Sequence, residues 1–141
     1  MRRPMCTAVV LSLLTVMAAC GSAATAVISP TPTTSTEVFP SDSTATLTPN
    51  GAATYPFTAL AGGTVTATLT TLVADSGVTV GMSLGTWNGS ACQSTTIAND
   101  KAVQGTVITG TVTAAGSLCA RVYDASGLAA PVDYQITVVH P

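Results

Sequence analysis

Gly63-Thr64-Val65-Thr66-Ala67-Thr68-Leu69-Thr70 is the stretch from which the fold follows. Val65, Ala67 and Leu69 alternate with threonines, a period of two that puts apolar side chains on one face of a strand and hydroxyls on the other. Threonine and valine are stiff at χ1 and suit a pleated sheet better than a helix. The same period recurs on both sides. Tyr55, Phe57 and Ala59 alternate upstream of Gly62-Gly63. Downstream, a turn at Asp75-Ser76-Gly77 leads into Val78, Val80, Met82 and Leu84, an apolar face ending at Gly85. Asn88-Gly89 favours the positive φ angles of a tight hairpin. An irregular stretch from Ser90 to Gln104 precedes a strand from Thr106 to Thr113, in which Gly110 predicts a bulge. Leu118, Ala120 and Val122 follow Gly116, and Tyr134, Ile136 and Val138 alternate to the end. About seven or eight strands in roughly 90 residues, with no helical period, predict an all-β antiparallel sandwich over residues 51–141.

Composition agrees. The chain has 141 residues, of which only 7% are charged, and Thr, Ala, Val, Ser and Gly dominate it. That mixture favours strands and tight turns over helices. Its length suits one domain. After residue 19 the cations are Lys101 and Arg121, against Glu37, Asp42, Asp75, Asp100, Asp124 and Asp133. So few cations cannot neutralise a row of phosphates, which excludes nucleic acid as the expected partner.

The first 19 residues read as an export signal. Arg2-Arg3 is a positive start, and Thr7 to Ala19 is an uncharged, largely apolar run, too short to span a bilayer. It ends in Met17-Ala18-Ala19-Cys20, which resembles the lipobox of bacterial lipoproteins: an apolar residue and two small ones before the cysteine to be modified. Met17 stands where that motif usually has Leu. The resemblance implies that Cys20 is acylated and becomes the mature N-terminus, anchoring the protein to the membrane of the cell envelope, the outer membrane if the source has one. Several acyl chains, at about 0.8 kcal/mol per buried CH₂, make release very slow. The alternative is cleavage at Ala24-Thr25-Ala26, which would release a soluble secreted β-domain.

Residues 20–50 read as a tether. Pro30, Pro32, Pro40 and Pro49 stand among Ser and Thr, with few large apolar residues. Such a segment buries too little surface to offset its ordering entropy and is expected to stay extended. A first strand near Glu37 to Phe39 is the competing reading.

Three stretches of the remainder resemble the bacterial pre-peptidase C-terminal domain: Ala61-Gly62-Gly63-Thr64-Val65-Thr66-Ala67-Thr68-Leu69, Ala115-Gly116-Ser117-Leu118-Cys119-Ala120-Arg121-Val122, and Tyr134-Gln135-Ile136-Thr137-Val138. That family is a small jelly-roll-like β-sandwich appended to secreted enzymes, and related domains bind collagen or polysaccharide. Where family members often carry several acidic residues, this chain has only Asp75, so no calcium role is carried over.

If Cys6 leaves with the signal and Cys20 is acylated, Cys92 and Cys119 remain as one pair. An exported compartment permits their disulfide, which closes a loop worth about 3.5 kcal/mol in the chain-entropy model. A metal site would need more ligands than His140 supplies, and no cofactor is implied. Gly81-Met82-Ser83-Leu84-Gly85 fits G-x-S-x-G, and Asp124 or Asp133 with His140 completes a hydrolase order. That motif, however, needs a strained turn into a helix, whereas Ser83 lies inside an alternating strand. Asp75-Ser76-Gly77 mimics the aspartic-protease signature but reads as a hairpin turn. No catalytic residue is therefore assigned.

Trp87, in a turn, is a candidate stacking platform, with folding back over the sandwich end as the competing reading. Tyr123 and Arg121 share strand parity opposite Leu118, Ala120 and Val122, so both face solvent as a candidate contact surface, although a simple structural pair fits as well. Asp100-Lys101 reads as a solvated turn. The whole chain reads as a non-catalytic envelope lipoprotein whose sandwich meets a protein or a glycan. The alternative is a structural or accessory lipoprotein with no dedicated ligand. The oligomeric state is left open.

Overall fold

The computed structural model describes residues 33–141, apart from the side chains of Ser94 and Thr96. The export signal, Cys20 and the candidate cleavage site after Ala26 lie outside the described residues. Those residues form nine strands and no helix: β1 Ser35–Phe39, β2 Ala45–Leu47, β3 Ala52–Ala59, β4 Gly63–Val73, β5 Val80–Trp87, β6 Cys92–Ala102, β7 Val107–Val112, β8 Gly116–Tyr123 and β9 Val132–His140. One sheet runs β1-β9-β4-β7, with β2 also pairing β9, and the other runs β3-β8-β5-β6. All the pairs are antiparallel. The expected all-β sandwich is what forms.

The alternation in Gly63–Thr70 becomes the core. Val65, Ala67 and Leu69 are at most 4% exposed and share a cluster with Ile136, Val138, Phe57, Met82, Leu84 and Val122. The threonines between them are on the outer face. Tyr134 is wholly buried, and its hydroxyl lies 2.6 Å from that of Tyr55. Burial first, and then the bond to Tyr55, hold its ionisation well above the ordinary tyrosine range.

The tether reading of 20–50 is corrected at its C-terminal part. Ser35–Phe39 and Ala45–Leu47 are strands that both pair with β9. The ring of Phe39 stacks on Tyr55 with centroids 5.1 Å apart, and Leu47 is 2% exposed. Few apolar residues sufficed because each lands on a surface that β9 and Tyr55 already provide. Ser90–Gln104 is likewise not irregular: most of it is β6, with register breaks opposite Val80–Met82 and Leu84–Thr86. Gly110 makes no bulge in the β4–β7 register. Instead a Cβ there would lie 3.1 Å from Ile97 Cδ1, so the missing side chain is where the facing sheet packs.

His140 closes β9 at 4% exposure. Its Nε2 lies 2.9 Å from Glu37 Oε1, and its ring sits 5.0 Å from that of Phe57. At the opposite end, Asp124 ties two loops together. Its carboxylate accepts the Asn50 N–H at 2.8 Å and the Gly127 N–H at 2.7 Å, with Leu128 N–H at 3.0 Å.

Candidate functional site

The outer face of the β3-β8-β5-β6 sheet carries the candidate contact residues, and strand pairing says which of them meet. Tyr123 is opposite Gly81, Arg121 opposite Ser83 and Cys119 opposite Gly85. Trp87 is opposite Cys92. Residues directly opposite in a sheet share a face, so the central strand shows that face only Gly81, Ser83 and Gly85 before Trp87. This makes a trough of small residues, which side chains from β8 cross at two levels.

At one level the Tyr123 ring lies over Gly81, and its hydroxyl donates to the Asp100 carboxylate on β6. Burial, and then the bond to Asp100, raise the Tyr123 pKa to about 12. The Arg121 guanidinium carbon sits 5.2 Å from the centroid of the same ring, a cation–π arrangement. Among the described residues no carboxylate is in ion-pair range of Arg121, and its side chain is exposed.

At the other level Cys119 and Cys92 form a disulfide with Cα atoms 5.7 Å apart. Their strands flank β5, so a flat sheet would hold them at least about 9.5 Å apart, two strand spacings. The start of β6 is therefore drawn in over Gly85. The register break between Leu84 and Thr86 supplies the slack, since β6 has extra residues there while β5 stays in step with β8. The expected pairing of the two cysteines is the one present.

Arg121 and Tyr123 thus come together, with Asp100 as an unforeseen third member. Asp100 is a strand residue rather than part of a solvated turn. Gly81-x-Ser83-x-Gly85 was the overlooked signal, because small residues on one parity of a central strand mark a face that something crosses. Trp87 does not join the group. It is the last residue of β5 rather than a turn residue, half-buried, and about 13 Å along the strand from the level of Arg121, with the disulfide between them.

The catalytic patterns resolve into other roles. Ser83 is 2% exposed in the middle of a sheet, beneath the level of Arg121, and His140 ends a strand of the other sheet. The Asp75 backbone carbonyl accepts the Val78 N–H at 3.2 Å in a turn that Gly77 closes at φ 89°. Among the described residues no three His, Cys, Asp or Glu side chains gather into a metal site.

No family model matches the chain. No curated protein matches it either. Among solved structures it is similar to Aeromonas hydrophila PliG, described as a periplasmic lysozyme inhibitor of g-type lysozyme, at 20% identity and a TM-score of 0.48 over 74% of this chain and 83% of that one.

Proposed function

We propose that this protein is a non-catalytic lipoprotein of the bacterial cell envelope. Its β-sandwich presents the Arg121–Tyr123 face to a protein or glycan partner outside the cytoplasm. The observation that carries the binding part is the exposed guanidinium held over Tyr123 with no carboxylate of the described residues in range. An arginine stacked on a tyrosine is pre-organised, so little side-chain entropy is lost when it meets an acceptor. Arginine and tyrosine are also residue types on which interface energy concentrates. The two crossings of β5 hold this face rigid. A disulfide between the last two cysteines of a chain that opens on an export signal supports an oxidising, extracytoplasmic setting. The envelope anchor rests on Met17-Ala18-Ala19-Cys20 and its likeness to a lipobox.

Two measurements test this reading. The intact mass of the mature protein is expected to match a chain beginning at Cys20 plus acyl groups; a chain beginning at Val27 without them overturns the anchor. Capture from envelope proteins and a glycan array is expected to give a partner that Arg121→Ala loses by about tenfold or more, roughly 1.4 kcal/mol. A partner bound equally well by Arg121→Ala moves the contact elsewhere. No reproducible partner leaves the accessory role as the better account.

A further inference from the structure

The four outermost long strands of the two sheets are not alike. β3 carries the exposed Pro56, which has no N–H to offer. β6 is broken twice in register and bears Asp100 and Lys101. β1 carries Glu37 and runs into Pro40. β7, Val107-Ile108-Thr109-Gly110-Thr111-Val112, has none of these devices. No charged residue occurs between Lys101 and Arg121, β7 pairs with β4 without a register break, and Val107 is 53% exposed.

Its hydrogen-bonding direction follows from one contact. The Leu69 N–H donates to the Thr106 carbonyl at 2.9 Å. In an antiparallel ladder the direction alternates, so Ile108 and Gly110 turn their backbone groups towards β4, while Val107, Thr109 and Thr111 turn theirs away from it. The side chains of those last three are exposed on the outer face, and Ile108 and Val112 are buried. Among the described residues no strand pairs with that side of β7.

The sequence around Gly110 says which strand fits. Read outward from Gly110, Thr109 mirrors Thr111, Ile108 mirrors Val112, and Val107 mirrors Thr113. Antiparallel pairing of two copies about a two-fold axis through Gly110 sets each residue opposite its mirror. Thr109 meets Thr111, Ile108 meets Val112, only Val107 meets an unlike residue in Thr113, and the inner and outer faces of both copies coincide. Such like pairs are favourable cross-strand partners, and the arrangement is self-complementary, as a two-fold dimer requires. The outward backbone groups of Thr109 and Thr111 then form about four new hydrogen bonds across the axis. An apolar crevice of about 380 Å³, lined in part by Gly110, Val112, Leu84, Ile97 and Leu118, borders the same edge.

We propose that the protein self-associates through β7 into a two-fold dimer whose β1-β9-β4-β7 sheets join into one continuous sheet. This goes beyond the proposed contact face, which lies on the other sheet.

The test uses the mature chain in detergent buffer. Light scattering over a concentration series is expected to show a monomer–dimer equilibrium. Amide hydrogen exchange at Val107, Thr109 and Thr111 is expected to slow as dimer accumulates. Thr109→Lys combined with Thr111→Lys places like charges opposite each other across the axis. It is expected to raise the dissociation constant at least about tenfold, with the far-UV spectrum unchanged. Should that variant fail to fold, the exchange measurement on the natural chain decides. A monomer at every soluble concentration overturns the proposal. So does a dimer whose β7 amides exchange as fast as in the monomer, or one that the double substitution leaves intact. Capture of another protein's extended segment by a monomer's β7 overturns it in favour of a foreign strand.

Discussion

Tyr123 lies directly over Gly81: a Cβ on Gly81 would come within 2.3 Å of Cε2 of the ring. No real contact is that short, so Gly81→Ala must lift the ring, breaking its bond to Asp100 and its stacking with Arg121. The expected cost is about 1–3 kcal/mol, read as a lower urea midpoint at unchanged slope. Tyr123→Ser removes the obstacle, so the Gly81→Ala substitution is expected to cost less in that background. The same displacement reports at high pH. The raised Tyr123 pKa, about 12, means that the folded state favours the neutral phenol. Its contribution is whole below the ordinary tyrosine value of 10 and fades between there and about 12. In Gly81→Ala, ultraviolet titration is expected to find one tyrosine moved down towards the ordinary value. An unchanged titration would show that the ring had not moved.

The disulfide invites a second measurement. Cys92 and Cys119 are 27 residues apart, and closing such a loop contributes about 3.5 kcal/mol in the chain-entropy model. Cys92→Ser with Cys119→Ser is expected to lose about that much in urea unfolding. It is also expected to speed exchange at the start of β6, because the bridge is what draws that segment over Gly85. A loss confined to stability, with β6 exchange unaltered, would show that the segment holds its place unaided.

Asp124 predicts a response to acid. The N–H groups of Asn50, Leu128, Gly127 and Ser126 bond its carboxylate and hold its pKa below the ordinary 3.8, with the Asn50 bond contributing most. A carboxylate with a lowered folded-state pKa contributes stability that is present above its unfolded value and lost as the pH falls through the folded one. The natural chain is therefore expected to lose thermal midpoint below about pH 4 more steeply than Asp124→Asn, and at neutral pH Asp124→Asn is expected to be the less stable of the two. Parallel acid profiles would contradict the role.

The buried phenols separate an unmade hydrogen bond from a missing one. Tyr55→Phe leaves the hydroxyl of the fully buried Tyr134 without its partner. The expected cost is about 1–3 kcal/mol, while the double change to phenylalanine regains most of it, because no polar group is then left unpaired. Additive losses in the cycle would show that water satisfies the Tyr134 hydroxyl.

Period-two alternation made β3, β4, β5, β8 and β9 legible, because each buries one face of a sheet and little else decides its side-chain pattern. β6 was not legible. It is an edge strand with two register breaks, so its apolar residues Ile97 and Ala102 fall out of step, and a shifted period reads as none. The contact face was half legible. Strand parity paired Arg121 with Tyr123, but Asp100 reaches that pair only across β5, a relation that sequence spacing does not encode.

β2 was hidden for a different reason, and β1 showed only as the competing strand near Glu37 to Phe39; the two give the last prediction. Val38, Phe39 and Leu47 are too few to make a strand pattern, yet Leu47 is 2% exposed and Phe39 stacks on Tyr55. Their burial is created by β9, which presents Val132, Tyr134 and Ile136 opposite them, so the stabilising surface lies about 90 residues downstream. Leu47→Ala is accordingly expected to cost about 2–4 kcal/mol, as for other buried leucines, and Phe39→Ala about 1–2 kcal/mol for a half-buried ring. Limited proteolysis is expected to leave Ser35–Phe39 and Ala45–Leu47 on the resistant fragment. A resistant fragment beginning near Asn50, as stable as the longer chain, would show that these two strands contribute nothing to the fold. Loss of the first two strands would also expose Tyr55, on which Phe39 stacks, and the ring of His140, which Glu37 holds from β1. The truncated chain is therefore expected to bind a hydrophobic dye that the intact protein does not.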